Sequence, residues 1–120
     1  TGLSVALVAG ITYGFQATLY TTSNISGGVQ AAIADSGTVT NIIYEGVTLA
    51  AAAIGAQTRT TTAGTTVGGI TAVTAATITI TGTITTNAAG NLTTQFAQNA
   101  SNATASVALR GTNMKLWVVT

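Results

Sequence analysis

Residues 75–98, AATITITGTITTNAAGNLTTQFAQ, alternate between apolar and hydroxyl-bearing side chains, and few folds accept that pattern. Ile78, Ile80 and Ile84 share one parity, with Thr77, Thr79, Thr81, Thr83 and Thr85 between them. After Asn87-Ala88-Ala89-Gly90, a second run sets Leu92, Thr94 and Phe96 opposite Thr93, Gln95 and Ala97. A period of two in β-branched residues describes a strand with one buried and one solvated face. Two such runs joined by about four residues ending in Gly predict a β-hairpin with a longer loop. Ile78, Ile80, Ile84, Leu92 and Phe96 are its expected contribution to a core.

The same period recurs along the chain. Leu3, Val5 and Leu7 alternate up to Ala9-Gly10, and residues 11–20 place Ile11, Tyr13, Phe15, Ala17 and Leu19 on one face. A third strand over 29–34 closes on Asp35-Ser36-Gly37, a good turn sequence. Residues 38–49 resume through Val39, Ile42 and Tyr44, with Gly46 read as a bulge or bend. The four alanines at 50–53 favour helix by propensity but are too short a run to hold one. Residues 50–54 therefore read as a loop or one helical turn. Residues 57–62 read as a strand, 63–69 as a Gly-rich connection and 106–109 as a short strand. The last strand, 114–119, sets Met114, Leu116 and Val118 opposite Lys115, Trp117 and Val119. About seven to nine short strands with regular turn signals describe an all-β fold: a single antiparallel β-sandwich, jelly-roll-like.

The chain has 120 residues, enough for one domain over 1–120 with a real core. It opens on Thr1 rather than Met, so a processed product, a fragment and the C-terminal part of a longer chain are all in view. Residues 3–15, the most apolar N-terminal run, are broken by Gly10 and Gly14 and fall short of the ~20 residues of a spanning helix. No membrane insertion is expected, and without a basic flank the run is no signal peptide. Asp35, Glu45, Arg59, Arg110 and Lys115 are the only charges, 4% of the chain, against roughly 25% in an ordinary domain. A net charge of +1 gives no electrostatic capture of nucleic acid. A nearly uncharged surface also lacks the repulsion that keeps monomers apart. Much of the exterior is therefore expected against other copies, in a closed homotrimer rather than an open arrangement that would propagate into fibres.

Chemistry is scarce. With no His and no Cys, Ser-His-Asp, Cys-His and thiolate-zinc sites are excluded. Paired carboxylates would have to be Asp35 and Glu45, one in a turn and one in a strand, and they read as solvated surface acids. Val67-Gly68-Gly69 lacks the lysine of a phosphate loop and reads as loop flexibility. Catalytic, cofactor-binding and metal residues are thus expected to be none. Trp117, Arg59 and Arg110 are the candidate interface anchors, because Trp and Arg are enriched where interfaces carry most energy. An exposed Trp117 would instead stack on a sugar. Asn24, Asn91, Asn99 and Asn102 open N-x-S/T acceptor patterns, several of which arise by chance in a chain this rich in Thr and Ser.

Six stretches stand out together: YGFQATLYTTS at 13–23, GGVQAAIA at 27–34, VGGITAV at 67–73, GTITTNAAG at 82–90, LTTQFAQN at 92–99 and LRGTN at 109–113. They resemble a β-rich module that recurs in virion structural proteins of tailed bacteriophages and prophages. The resemblance spans nearly the whole chain, and its motifs are structural, so no catalytic or binding residue carries over. It implies a non-enzymatic protein of the virion surface: a terminal domain of a tail fibre or spike, contacting other virion proteins and a host-surface glycan. A capsid decoration protein is the alternative it implies. A self-assembling pilus or surface-filament subunit is a third reading, for which residues 3–8 offer only a short apolar start.

Overall fold

In the computed structural model, which describes residues 3–50 and 53–119, the alternating stretches are strands and, among the described residues, no helix forms. Ten strands follow in order: β1 (Ser4–Leu7), β2 (Thr12–Thr22), β3 (Val29–Asp35), β4 (Val39–Ala50), β5 (Ala53–Thr60), β6 (Val67–Ile70), β7 (Ala75–Thr86), β8 (Gly90–Ala97), β9 (Val107–Ala108) and β10 (Asn113–Val118). The first eight behave as one long hairpin rolled on itself. β1 pairs with β8, β2 with β7, β3 with β6 and β4 with β5, all antiparallel. Rolling adds the β3–β8 and β4–β7 ladders. Two sheets result, β1-β8-β3-β6 and β2-β7-β4-β5, in the strand order of a jelly roll. β10 and then β9 extend the second sheet along the free edge of β2.

The core lies between the sheets and is built mainly from one parity of β1 to β4 and of β6 to β8. Phe15, Leu19, Ile33, Tyr44, Ile78, Ile80, Ile84 and Leu92 are its fully buried large side chains. The Phe15 and Tyr44 rings meet at a centroid distance of 6.4 Å, tilted by 54°, within the favourable range for aromatic pairs. In a chain this rich in threonine, some core positions carry a hydroxyl, and the backbone absorbs it. Thr48 donates to the Gly68 carbonyl at 2.6 Å and Thr21 to the Ala76 carbonyl at 2.8 Å. Tyr44 reaches the 61–66 connection, where its hydroxyl donates to the Thr65 carbonyl, with that of Thr62 at 3.4 Å.

Several sequence expectations change. The strands number ten rather than seven to nine, because β6 occupies the stretch read as a Gly-rich connection. Gly68 has a φ of +64°, which only Gly adopts cheaply, and the β3–β6 register shifts beside it, between the Val29 and Ala31 pairings. Runs 75–86 and 90–97 do not pair: β7 lies in one sheet and β8 in the other, so Asn87 to Gly90 crosses the sandwich instead of closing a hairpin. Alternation reports which face is buried and says nothing about the partner at the edge. Gly46 is no bulge. Its pairings with Thr58 and Ile80 are in register, and a Cβ there would run into Val67 across the sheets. The alanine run is strand up to Ala50 and again from Ala53, which pair with each other. The remainder of the predicted loop or helical turn, residues 51–52, lies outside the described residues. Phe96 faces inward as expected but is only half-buried, packed on the rim of the core.

Phe15→Ala should destabilise the domain by about 3–5 kcal/mol in chemical denaturation, as for other fully buried aromatics, and Phe96→Ala by visibly less. Burial pushes the Tyr44 phenol above the ordinary tyrosine value, against the smaller opposite pull of backbone hydrogen bonds at Ile33 and Thr65. The folded state therefore keeps this proton after the unfolded chain has lost it. That contribution is complete below about pH 10 and is lost as pH rises through the folded value. Denaturation of Tyr44→Phe across pH should show a deficit of about 1 kcal/mol at neutrality that shrinks above about pH 10.

Candidate functional site

Strand parity sends one set of side chains from the larger sheet to the outside, and register aligns them in rows. One row reads Lys115, Gln16, Thr81, Glu45, Arg59 across β10, β2, β7, β4 and β5. The neighbouring row reads Trp117, Gly14, Thr83, Ile43. Three of the chain's five charged residues thus share one line on a single sheet face, next to its one tryptophan. Glu45 and Arg59 are direct cross-strand partners, about 5 Å apart at the backbone.

Trp117 is 47% exposed. Its indole lies over Gly14, whose missing side chain leaves the space: a Cβ at position 14 would overlap Cε2, Nε1 and Cζ2 of the ring. A groove of about 330 Å³ opens beside it, lined by Ile43, Tyr44, Glu45, Arg59, Thr81, Gly82, Thr83 and Trp117. Trp117 forms one wall, Ile43 with the Glu45–Arg59 pair forms the other, and the threonines of β7 lie between them. A π face, a carboxylate, a guanidinium and hydroxyls that both donate and accept therefore converge on one shallow depression.

No family model, no curated protein and no solved structure matches the chain.

Of the three residues expected to anchor an interface, the fold brings Trp117 and Arg59 to this groove and keeps Arg110 away from it. Arg110 follows β9 in an exposed turn, next to Leu109, whose N–H donates to the Tyr20 carbonyl at 2.6 Å. That end of the same outer face is apolar. Tyr20, Leu49, Ile54 and Leu109 are 42%, 44%, 59% and 43% exposed there, and Leu49 pairs with both Thr77 and Ile54. Asp35 and Glu45 are not brought together: Asp35 ends a strand of the smaller sheet, where its Oδ2 accepts the Gly37 N–H at 3.0 Å, and Glu45 lies on the outer face of the larger one. A second groove, about 540 Å³, runs along β3 and β8 past Phe96, and the residues lining it carry no charge.

Sequence reading missed Glu45 as the neighbour of Arg59, and it missed Gly14 as the seat of Trp117. Parity alone signals that Glu45, Thr81, Thr83 and Trp117 point away from the core. Their meeting depends on register among strands far apart in the chain. Gly14→Ala should leave the fold intact, because the atoms in its way are the tip of an exposed side chain. It should lift the indole into water, read as a red shift of Trp117 emission with an unchanged far-ultraviolet spectrum.

Proposed function

We propose that this chain is a non-enzymatic structural module of a virion surface, of the tail-fibre or spike type, that works by packing against copies of itself. The observation that carries this reading is the apolar end of the outer face: Tyr20, Leu49, Ile54 and Leu109 stand exposed on a protein whose net charge is only +1. Isolated exposed apolar side chains are ordinary, but a cluster on one sheet face marks a contact surface. Threonine and alanine around it shed water at little cost, and no charge opposes the approach of a different patch on the next copy. Arg110 sits at the rim, where an arginine can bond to carbonyls of a neighbouring subunit.

The jelly roll recurs among viral shell proteins and lectins, an analogy of fold that agrees with this reading without carrying it. The sequence resemblance to tailed-phage structural modules points to the same setting. A closed trimer is the expected assembly, since a contact between unlike patches must either close into a ring or propagate.

Sedimentation at micromolar concentration should give a species near three times the 11.8 kDa chain mass. Leu49→Glu, at an exposed position outside the core, should dissociate it into folded monomers. A monodisperse monomer of the parent protein would sink self-assembly and favour a decoration protein ordered by the shell beneath it.

A further inference from the structure

We propose that the groove between Trp117 and the Glu45–Arg59 pair is a binding site for a neutral pyranose sugar bearing vicinal hydroxyls. The inference goes beyond the assembly role proposed above and uses the opposite end of the outer face. Trp117 supplies the feature hardest to explain otherwise: a large aromatic ring, half in water, seated in the space left by a glycine. The face of such a ring is electronegative and attracts the polarised C–H hydrogens on the apolar side of a sugar, while burying apolar area on both partners. A sugar resting there turns its hydroxyls away from the ring plane, towards whatever stands around the rim.

The rim matches that need. Glu45 presents two carboxylate oxygens that accept from adjacent hydroxyls, and the Arg59 guanidinium donates in a fixed fork. Thr81 and Thr83 add hydroxyls that serve as donor or acceptor. Hydrogen bonds to charged groups are the stronger kind, and two opposite charges side by side supply them without giving the groove a net charge. The charge balance favours a neutral ligand over a carboxylated or phosphorylated one. Ile43 completes the wall with apolar contact, and the groove's volume of about 330 Å³ lies at the small end for small-molecule sites. A monosaccharide or the terminal residue of a glycan suits it better than a long chain.

The single tryptophan is also the reporter. Titration of the intact protein with glucose, galactose, mannose and N-acetylglucosamine should change Trp117 emission saturably for at least one of them. A site with one stacking plane and a few polar contacts should show a dissociation constant of about 1 mM. Sorbitol, which has the hydroxyls but no ring face, should have no effect. Glu45→Gln should weaken the binding by about tenfold, and Gly14→Ala, which displaces the indole and leaves the fold in place, should abolish it. Sedimentation of the same samples separates this proposal from the assembly reading, because sugar should leave the oligomeric state unchanged.

Absence of any saturable change across the panel would overturn the site. So would equal affinity in Glu45→Gln and Gly14→Ala, or tighter binding of glucuronate than of glucose. An emission shift that follows protein concentration without sugar would assign Trp117 to a subunit contact and overturn it as well.

Discussion

Everything in this domain leans on β7, the central strand of the larger sheet, which is paired along its whole length on both edges and carries core residues on one face. Along its length it pairs with β2, from Thr12↔Thr85 to Thr22↔Ala75, and on its other side with β4, from Val39↔Thr86 to Ala50↔Ala76. Its backbone donors and acceptors are thereby consumed by the sheet, which is what a buried central strand requires. Its isoleucines fill the space between the sheets, and its threonines form the middle of the outer face. A slip of one residue would exchange the two sets and empty the core, so the register of three strands is set together.

The rolled pairing then explains why a chain with so little charge forms one sheet order. Once β4 and β5 meet at the tip, each earlier strand finds its partner in reverse sequence, and the two Greek keys follow. The sheets approach closely where small residues allow it, as at Gly46 beneath Val67, and buried hydroxyls such as Thr48 fasten the outermost strand β6 back to the interior. The eight-stranded roll leaves one side of β2 open. β9 and β10 cover it, and in doing so they bring Trp117 over Gly14.

The outer face of the larger sheet is therefore a consequence of the inner one. Residues of one parity are committed to the core, and the others are carried outward in rows fixed by that commitment. Apolar side chains gather at the Tyr20 end, ionic ones across the middle, and the tryptophan near the Ile43 end. The apolar end and the tryptophan groove are separated along the length of the strands, so the proposed subunit contact and the proposed sugar site do not overlap.

What the sequence by itself determined is the set of strands and their inner faces. Alternation identified Tyr13, Phe15, Leu19, Ile78, Ile80, Ile84 and Leu92 as core, because side-chain direction along an extended chain is a local property. It missed β6, where paired glycines look like a loop and only contact with β3 makes them strand. It also joined β7 and β8 as a hairpin, since two alternating runs and a short connection look the same whether they pair or cross between sheets. The candidate site was legible only as isolated residues: an exposed-parity Trp117, a lone Arg59, a lone Glu45. Register between β4 and β5, and between β10 and β2, set them side by side. That is a tertiary decision, because the hydrogen bonds that fix register join segments far apart along the chain and no local pattern encodes the partner.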